Sequence, residues 1–279
     1  MSAATIKAGV MGWPISHSRS PRLHGYWLAR YGIDGTYEAL AIAPEDLAER
    51  LGSLRDRGFA GVNLTVPHKE AALALVTSLS PTARAIGAVN TVVVGTDGKL
   101  EGDNTDGFGF LENLRQDAAG WSADTGPAVV LGAGGAARAI CHALAEAGAP
   151  EIRIVNRTLE RAEALAGDLT GPLMPWSWDD RGAALAGVAL VVNTTTLGMV
   201  GQDPLDLDLV SLPTEAVVND IVYAPLETPL LAAAAARGNP VVDGLGMLLH
   251  QARPGFEAWF GRAPEVTAEL RAHVLGSEP

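Results

Sequence analysis

The sequence predicts an α/β protein of two domains, and three observations carry that reading. Apolar, strand-like runs alternate with helical patterns from Ile6 to Val242 at the spacing of α/β units. One such run, Ala128–Leu131, enters the glycine-rich turn Gly132-Ala-Gly-Gly-Ala136 and then an alanine-rich helix over Ala136–Ala147, which Gly148 stops. The chain has 279 residues and is 48% hydrophobic, enough for two modest cores.

In chain order, Ile6–Met11 reads as a strand, followed by a helix over Pro21–Tyr31 with Ser20 as its N-cap and Pro21 at its first position. Tyr37–Ile42 is a second strand, and a helix over Glu45–Arg57 ends before Gly58. Val62–Val66 is a third strand, and Pro67 opens a helix running to about Val76. Ala88–Gly95 and Lys99–Glu101 suit a hairpin around Thr96-Asp97-Gly98. A helix from Asp106 leads into the second domain, where strands at Ala128–Leu131, Glu151–Val155, Ala189–Asn193, Ala216–Asp220 and Val241–Val242 predict a doubly wound parallel sheet. Leu245–Phe260 is an amphipathic helix, and a last helix spans about Pro264–Leu275. The alanine run 232–236 is strong helix former without a functional reading.

Composition excludes several classes of function. A net charge of −12 argues against nucleic-acid and membrane-surface partners, which call for a basic face. Against that background any anion site must be locally basic, which singles out Lys69, Arg157 and Arg161. The one cysteine, Cys141, precludes an internal disulfide and reads as a small buried hydrophobe. No signal-peptide pattern opens the sequence and no apolar run approaches a membrane span, so the expected compartment is the cytoplasm. The 6 histidines show no metal-ligand spacing, and no metal is expected.

The glycine turn carries the first chemistry. Gly132 allows the tight turn, and Gly134 lets backbone approach a pyrophosphate. Small Ala137 lets helix and strand pack, so that the turn Gly132, Ala133, Gly134, Gly135, Ala136 presents a helix N-terminus to phosphate. A chain built for NAD would place Asp or Glu at the end of the next strand to bind the ribose 2′-OH. This chain has Asn156 there, followed by Arg157, Thr158 and Arg161. A carboxylate would repel a 2′-phosphate whereas a guanidinium clasps one, so the expected cofactor is NADP(H) and the expected chemistry hydride transfer. The plainer reading of Arg157 is a solvated surface charge.

A cofactor turn in only one of two α/β units predicts a ligand-binding cleft between them, with a small-molecule substrate held by the first. Three loops there end strands. Ser16-His17-Ser18-Arg19-Ser20 sits at a helix start, where hydroxyls and backbone N–H groups suit a carboxylate, although Ser20 is also accounted for by capping alone. In Asn63-Leu-Thr-Val-Pro-His-Lys69, Asn63 and Thr65 alternate with Leu64 and Val66 and should share a face. Lys69 then falls on the first turn of the expected helix, where a cation opposes the dipole and hints at function. In Gly102-Asp-Asn-Thr-Asp-Gly107, Asp103 and Asn104 suit a turn, and Asp106 is better placed to face the cleft.

These segments, with Ser18-Arg19-Ser20-Pro21, Gly87-Ala-Val-Asn-Thr91, Asn156-Arg-Thr158 and Asp243-Gly-Leu-Gly-Met247 followed by Gln251, strongly resemble the shikimate dehydrogenase family over essentially the whole chain. The resemblance implies NADPH-dependent reduction of 3-dehydroshikimate to shikimate, a step towards the aromatic amino acids, with Lys69 and Asp106 as the catalytic pair. It also implies that Ser18, Ser20 and Tyr223 hold the substrate carboxylate. Thr65, Asn90, Asp106 and Gln251 would bind ring hydroxyls, and Ile221 and Gly244 would line the nicotinamide end. The implied fold is an N-terminal α/β substrate domain, residues 1–105 with helices 251–279 returning to it, and a Rossmann-like NADP domain over 106–250. The chain departs from the family pattern at Trp13, where Asn is frequent, at Thr196, where Pro or Ser is common, and at His68, where Phe is as usual.

Lys69 is then a general acid for ketone reduction; its rival role is to orient a hydroxyl while Asp106 or water moves the proton. Two other functions fit the same layout: a quinate/shikimate dehydrogenase with relaxed substrate or cofactor choice, and a regulatory NADP-binding protein without catalysis. Intact Ser18, Ser20 and Arg157 favour shikimate with NADP over quinate with NAD, and intact Lys69 and Asp106 favour catalysis. A methylene-tetrahydrofolate dehydrogenase, similar in layout, would lack Gly102–Gly107 as written. The expected assembly is a monomer or homodimer.

Overall fold

The structure, a computed structural model, describes residues 5–276; residues 1–4 and 277–279, at the ends of the expected first domain, lie outside the described residues. The chain forms two compact units, one running to Thr105 and resuming at Gln251, the other comprising Asp106–His250.

The first unit is built on β1 (Ile6–Gly12), α1 (Ser20–Tyr31), β2 (Gly35–Ala41), α2 (Leu47–Gly52), β3 (Phe59–Leu64), β4 (Ser78–Leu79), α3 (Pro81–Ile86), β5 (Thr91–Val94) and β6 (Leu100–Asp103). Its sheet runs β2-β1-β3-β5-β6-β4. The β1 strand lies parallel to both β2 and β3, whereas β5 and β6 form the antiparallel hairpin expected around Thr96-Asp97-Gly98. Met11, Val62, Leu64 and Val92 pack under Leu47, Leu51 and Leu54 of the following helical segment in one core.

The second unit contains α4 (Asp106–Asp117), β7 (Ala128–Leu131), α5 (Gly135–Glu146), β8 (Ile152–Asn156), α6 (Leu159–Asp168), β9 (Leu173–Ser177), α7 (Arg181–Ala184), β10 (Leu190–Asn193), β11 (Val217–Asp220), α8 (Pro229–Ala236) and β12 (Val241–Val242). The sheet order is β12-β11-β10-β7-β8-β9, and all the pairings are parallel. Alternate residues serve opposite faces: Ala128 and Val130 join one core and Val129 and Leu131 the other. Covered on both sides, these strands read as continuous apolar runs.

The chain continues through α9 (Leu245–Phe260) and α10 (Ala268–Leu275). The far end of α9 belongs to the first unit because Trp259 docks there: its indole N–H donates to the Val92 carbonyl at 3.1 Å. Gly61 admits it, since a Cβ at that position would overlap the indole ring.

Several elements differ from the sequence reading. Ser20 is the first helical residue, not the cap; Arg19 holds the cap position without a side-chain bond. The helix expected over Glu45–Arg57 narrows to a short 3-10 turn at Pro44–Asp46, then α2 and irregular turns. The helix expected from Pro67 to Val76 is instead a turn and a single 3-10 turn at Ala71–Ala74. Lys69 therefore sits on no α-helix, and the dipole argument for it lapses. Strand β9 and the short β4 and α3 were not anticipated.

Candidate functional site

On the first unit, side chains gather where strands end. Ser18 follows β1 and its hydroxyl oxygen accepts the Ser20 N–H at 3.3 Å, which ties the two serines together at the start of α1. Ser20 is buried, and Ser18 is half-buried. At the end of β3, Thr65 donates its N–H to the Met11 carbonyl at 3.0 Å, and the Lys69 carbonyl accepts the Val89 N–H at 2.8 Å. Thr65 and Lys69, both half-buried, are thus held by backbone bonds to β1 and to the segment before β5 rather than by a helix. His68 is structural: its Nε2 donates to the Ile42 carbonyl at 2.9 Å in a buried position. Trp13, the other departure near this loop, is 51% exposed.

Beneath these residues runs a directed chain of buried hydrogen bonds. Tyr37 donates its hydroxyl to Asn63 Oδ1 at 2.6 Å. Asn63 Nδ2 donates to the Asn90 carbonyl and to Thr91 Oγ1, each at 3.1 Å. Asn90 Oδ1 accepts the Thr91 hydroxyl at 2.9 Å and the Thr105 N–H at 2.9 Å, while Asn90 Nδ2 donates to Thr105 Oγ1 at 3.1 Å. The Thr105 hydroxyl donates to the Gln251 carbonyl at 2.8 Å. Buried polar atoms need partners, and here each amide finds them in its neighbours. Asn63, expected to share a face with Thr65, instead spends its amide inside this network, which orients Asn90 and secures the backbone at Thr105. Asp106, the next residue, is buried and opens α4.

On the second unit, the glycine turn has the geometry a dinucleotide needs. Gly132 has φ +107°, and a Cβ there would sit 2.7 Å from Thr194 Oγ1. Gly134 and Gly135 are exposed with open space above them, so backbone can approach a phosphate. Ala133 and Ala136 flank them half-buried, and Ala137 is fully buried against the sheet. No side chain caps α5, which leaves its first-turn N–H groups for an anion. The turn follows β7, whose neighbour β10 returns from the opposite direction of winding: the switch point where such sheets take ligands.

At the end of β8, Asn156 Nδ2 donates to the Thr158 carbonyl at 2.8 Å and shapes the turn. Arg157, Thr158 and Arg161 are exposed around the start of α6. Other arginines of this unit are engaged, Arg138 with Asp168 at 2.8 Å and Arg181 with Asp206 at 2.9 Å. Arg157 and Arg161 have no such partner among the described residues, in a chain of net charge −12. Two unpaired guanidiniums flanking one turn, with no carboxylate at the strand end, fit a 2′-phosphate. Ile221, half-buried, packs its backbone on Gly244, where a Cβ would overlap the Ile221 carbonyl; Tyr223 follows, half-buried.

Local pattern points to the glycine turn, the serine loop and the Lys69 segment. It does not point to Tyr37 or Thr105, whose hydrogen bonds come from partners distant in the sequence. No helix among the described residues is long and apolar enough to cross a membrane.

Residues 10–92 match the shikimate dehydrogenase substrate binding domain, residues 114–197 the shikimate / quinate 5-dehydrogenase domain, and residues 244–272 the shikimate 5'-dehydrogenase C-terminal domain. The chain is 64% identical over 275 residues to the shikimate dehydrogenase (NADP(+)) of Paramagnetospirillum magneticum, covering 99% of this chain and 100% of that one. Among solved structures, it resembles shikimate 5-dehydrogenase from Thermus thermophilus in complex with NADP(H) and shikimate (41% identity, TM-score 0.86, 98% and 100% of the two chains). It also resembles quinate dehydrogenase from Corynebacterium glutamicum in complex with NAD (31% identity, TM-score 0.90, 98% and 99% of the two chains). With matched segments spread along both units and identity of this extent, the chain belongs to the shikimate dehydrogenase family.

Proposed function

We propose that this protein catalyses the reversible NADPH-dependent reduction of 3-dehydroshikimate to shikimate. The observation that carries the cofactor choice is the unpaired Arg157 and Arg161 at the end of β8, where an NAD site would have a carboxylate. NADPH supplies the hydride when bound. Gly132 to Ala136 would cradle the pyrophosphate, Asn156, Arg157, Thr158 and Arg161 would hold the 2′-phosphate ribose, and Ile221 and Gly244 would line the nicotinamide end.

Ser18, Ser20 and Tyr223 hold the substrate carboxylate, and Thr65, Asn90, Asp106 and Gln251 take the ring hydroxyls. Reduction of the carbonyl carbon would leave negative charge on its oxygen. Lys69 then gives that oxygen a proton from its ammonium, and Asp106 orients the same group. In the reverse direction the Lys69 amine accepts the hydroxyl proton. Proton donation to a developing alkoxide is the step such a pair accelerates, typically by about 10²–10⁴-fold. A cytoplasmic setting suits the lone buried thiol of Cys141.

The second reading is quinate oxidation with NAD, favoured by the structural likeness to the Corynebacterium enzyme. Reduction of NADP+ or NAD+, each with shikimate or quinate, separates the two. Turnover confined to quinate with NAD+ would overturn both the substrate and the cofactor assignments.

A further inference from the structure

At the carboxyl ends of β10 and β11, Asn193 and Asp220 lie side by side in the parallel register. Both are buried, at 0% and 1% exposure. Asn193 Nδ2 donates to Asp220 Oδ1 at 3.0 Å and to the Leu197 carbonyl at 3.1 Å. Asn193 Oδ1 accepts the Thr195 N–H at 3.0 Å and its hydroxyl at 2.7 Å. Asp220 Oδ1 also accepts the Val222 N–H at 3.0 Å, and its Oδ2 accepts the Thr228 hydroxyl at 2.7 Å. Thr228 in turn caps α8 through the Leu231 N–H. The Ile221 N–H is bonded to the Asn193 carbonyl at 3.1 Å, and bare Gly244 closes the other side of the Ile221–Val222 backbone.

A carboxylate in such a place is expensive. Burial pushes the Asp220 pKa up, against the hydrogen bonds from Thr228, Val222 and Asn193 that favour its charged form. An apolar residue would hold two strands together without that penalty. What it would not do is accept hydrogen bonds from Asn193 at the end of β10 and from Val222 and Thr228 beyond β11. The bond of Asp220 to Val222 spans Ile221, and its bond to Thr228 spans the segment bearing both Ile221 and Tyr223, two residues assigned above to the nicotinamide and to the substrate carboxylate.

We propose that Asp220 is a positioning residue, whose carboxylate sets the Ile221-Val222-Tyr223 backbone and thereby aligns nicotinamide and substrate without touching either. This rests on the functional reading given above for Ile221 and Tyr223. Its reach is confined to that end of the unit. The Asn156-Arg157 turn and its hold on the 2′-phosphate stand outside the network.

The test measures two things on each variant: kcat/KM for shikimate at saturating NADP+, and the Kd of adenosine 2′,5′-bisphosphate, which has no nicotinamide. Asp220→Asn keeps the shape but replaces an accepting oxygen by a donor. Thr228→Val removes one bond to Asp220 and leaves the carboxylate, and Thr228→Ser restores the hydroxyl. The expected result is a fall in kcat/KM of roughly ten- to a hundredfold for Asp220→Asn and a smaller fall for Thr228→Val. Thr228→Ser should return to wild type, and the bisphosphate should bind all of them within about twofold of wild type. Should Asp220→Asn fail to fold, Thr228→Val alone decides. Unchanged kcat/KM in the folded variants, or parallel loss of bisphosphate binding in Thr228→Val, overturns the inference. Wild-type protein that neither oxidises shikimate nor binds the bisphosphate would instead overturn the functional reading beneath it.

Discussion

Lys69 and Asn63 come from one short segment and do opposite work. The Lys69 backbone is pinned by Val89, with its side chain half-buried, whereas Asn63 is buried with both ends of its amide engaged. Replacing Lys69 by Ala should lower kcat by roughly a hundredfold or more while the shikimate KM moves only a few-fold. A KM-dominated loss with near-normal kcat would assign Lys69 the orienting role instead. Asn63→Ala should strand the buried Tyr37 hydroxyl in the interior, at a cost of about 1–3 kcal/mol in urea unfolding. An unchanged midpoint would mean that the network rearranges around the gap.

At the scale of elements, the proposed function assigns the pyrophosphate to the turn after β7 and the 2′-phosphate to the turn after β8. Arg157→Ala should raise the NADP+ KM about tenfold or more, since a charge-assisted bond is worth about 1.5–3 kcal/mol, and leave the NAD+ KM nearly unchanged. Equal effects on both cofactors would make Arg157 a structural or solvated charge. These two turns were legible in the sequence because strand, glycine and helix signals are local. The segment after Pro67 was not. Its Ala- and Leu-rich run has helical composition, yet the Lys69 carbonyl accepts Val89 N–H and the Leu73 N–H turns to Glu70 at 3.2 Å. Long-range pairing overrode propensity there. Strand β9 escaped notice because Pro175 interrupts it, which the sheet tolerates at an edge position. Asp220 reads locally as the end of a strand, and its importance appears only with Asn193 and Thr228 in place.

For the molecule as a whole, acid stability has an identifiable contributor. His24 is fully buried, stacked on Tyr37 with ring centroids 3.8 Å apart, and neither ring nitrogen has a hydrogen-bond partner. Burial lowers its pKa from 6.5 to about 3. Below pH 6.5 the unfolded chain takes up a proton that the folded chain refuses until about pH 3, so stability drains away across that window as pH falls. Relative to His24→Phe, the wild type should lose about 1.4 kcal/mol per pH unit below the upper limit, read from denaturation midpoints between pH 4 and 7. Parallel pH profiles would show that His24 does not control this limb. At work, the same molecule is proposed to act as an NADP-dependent dehydrogenase that prefers shikimate. The direct measurement is the initial rate of reduced-cofactor formation from shikimate and from quinate, each with NADP+ and with NAD+. Fast turnover of shikimate with NADP+, and much slower turnover in the other pairings, is the predicted result; turnover confined to quinate with NAD+, or binding of NADP+ with no turnover at all, would contradict it.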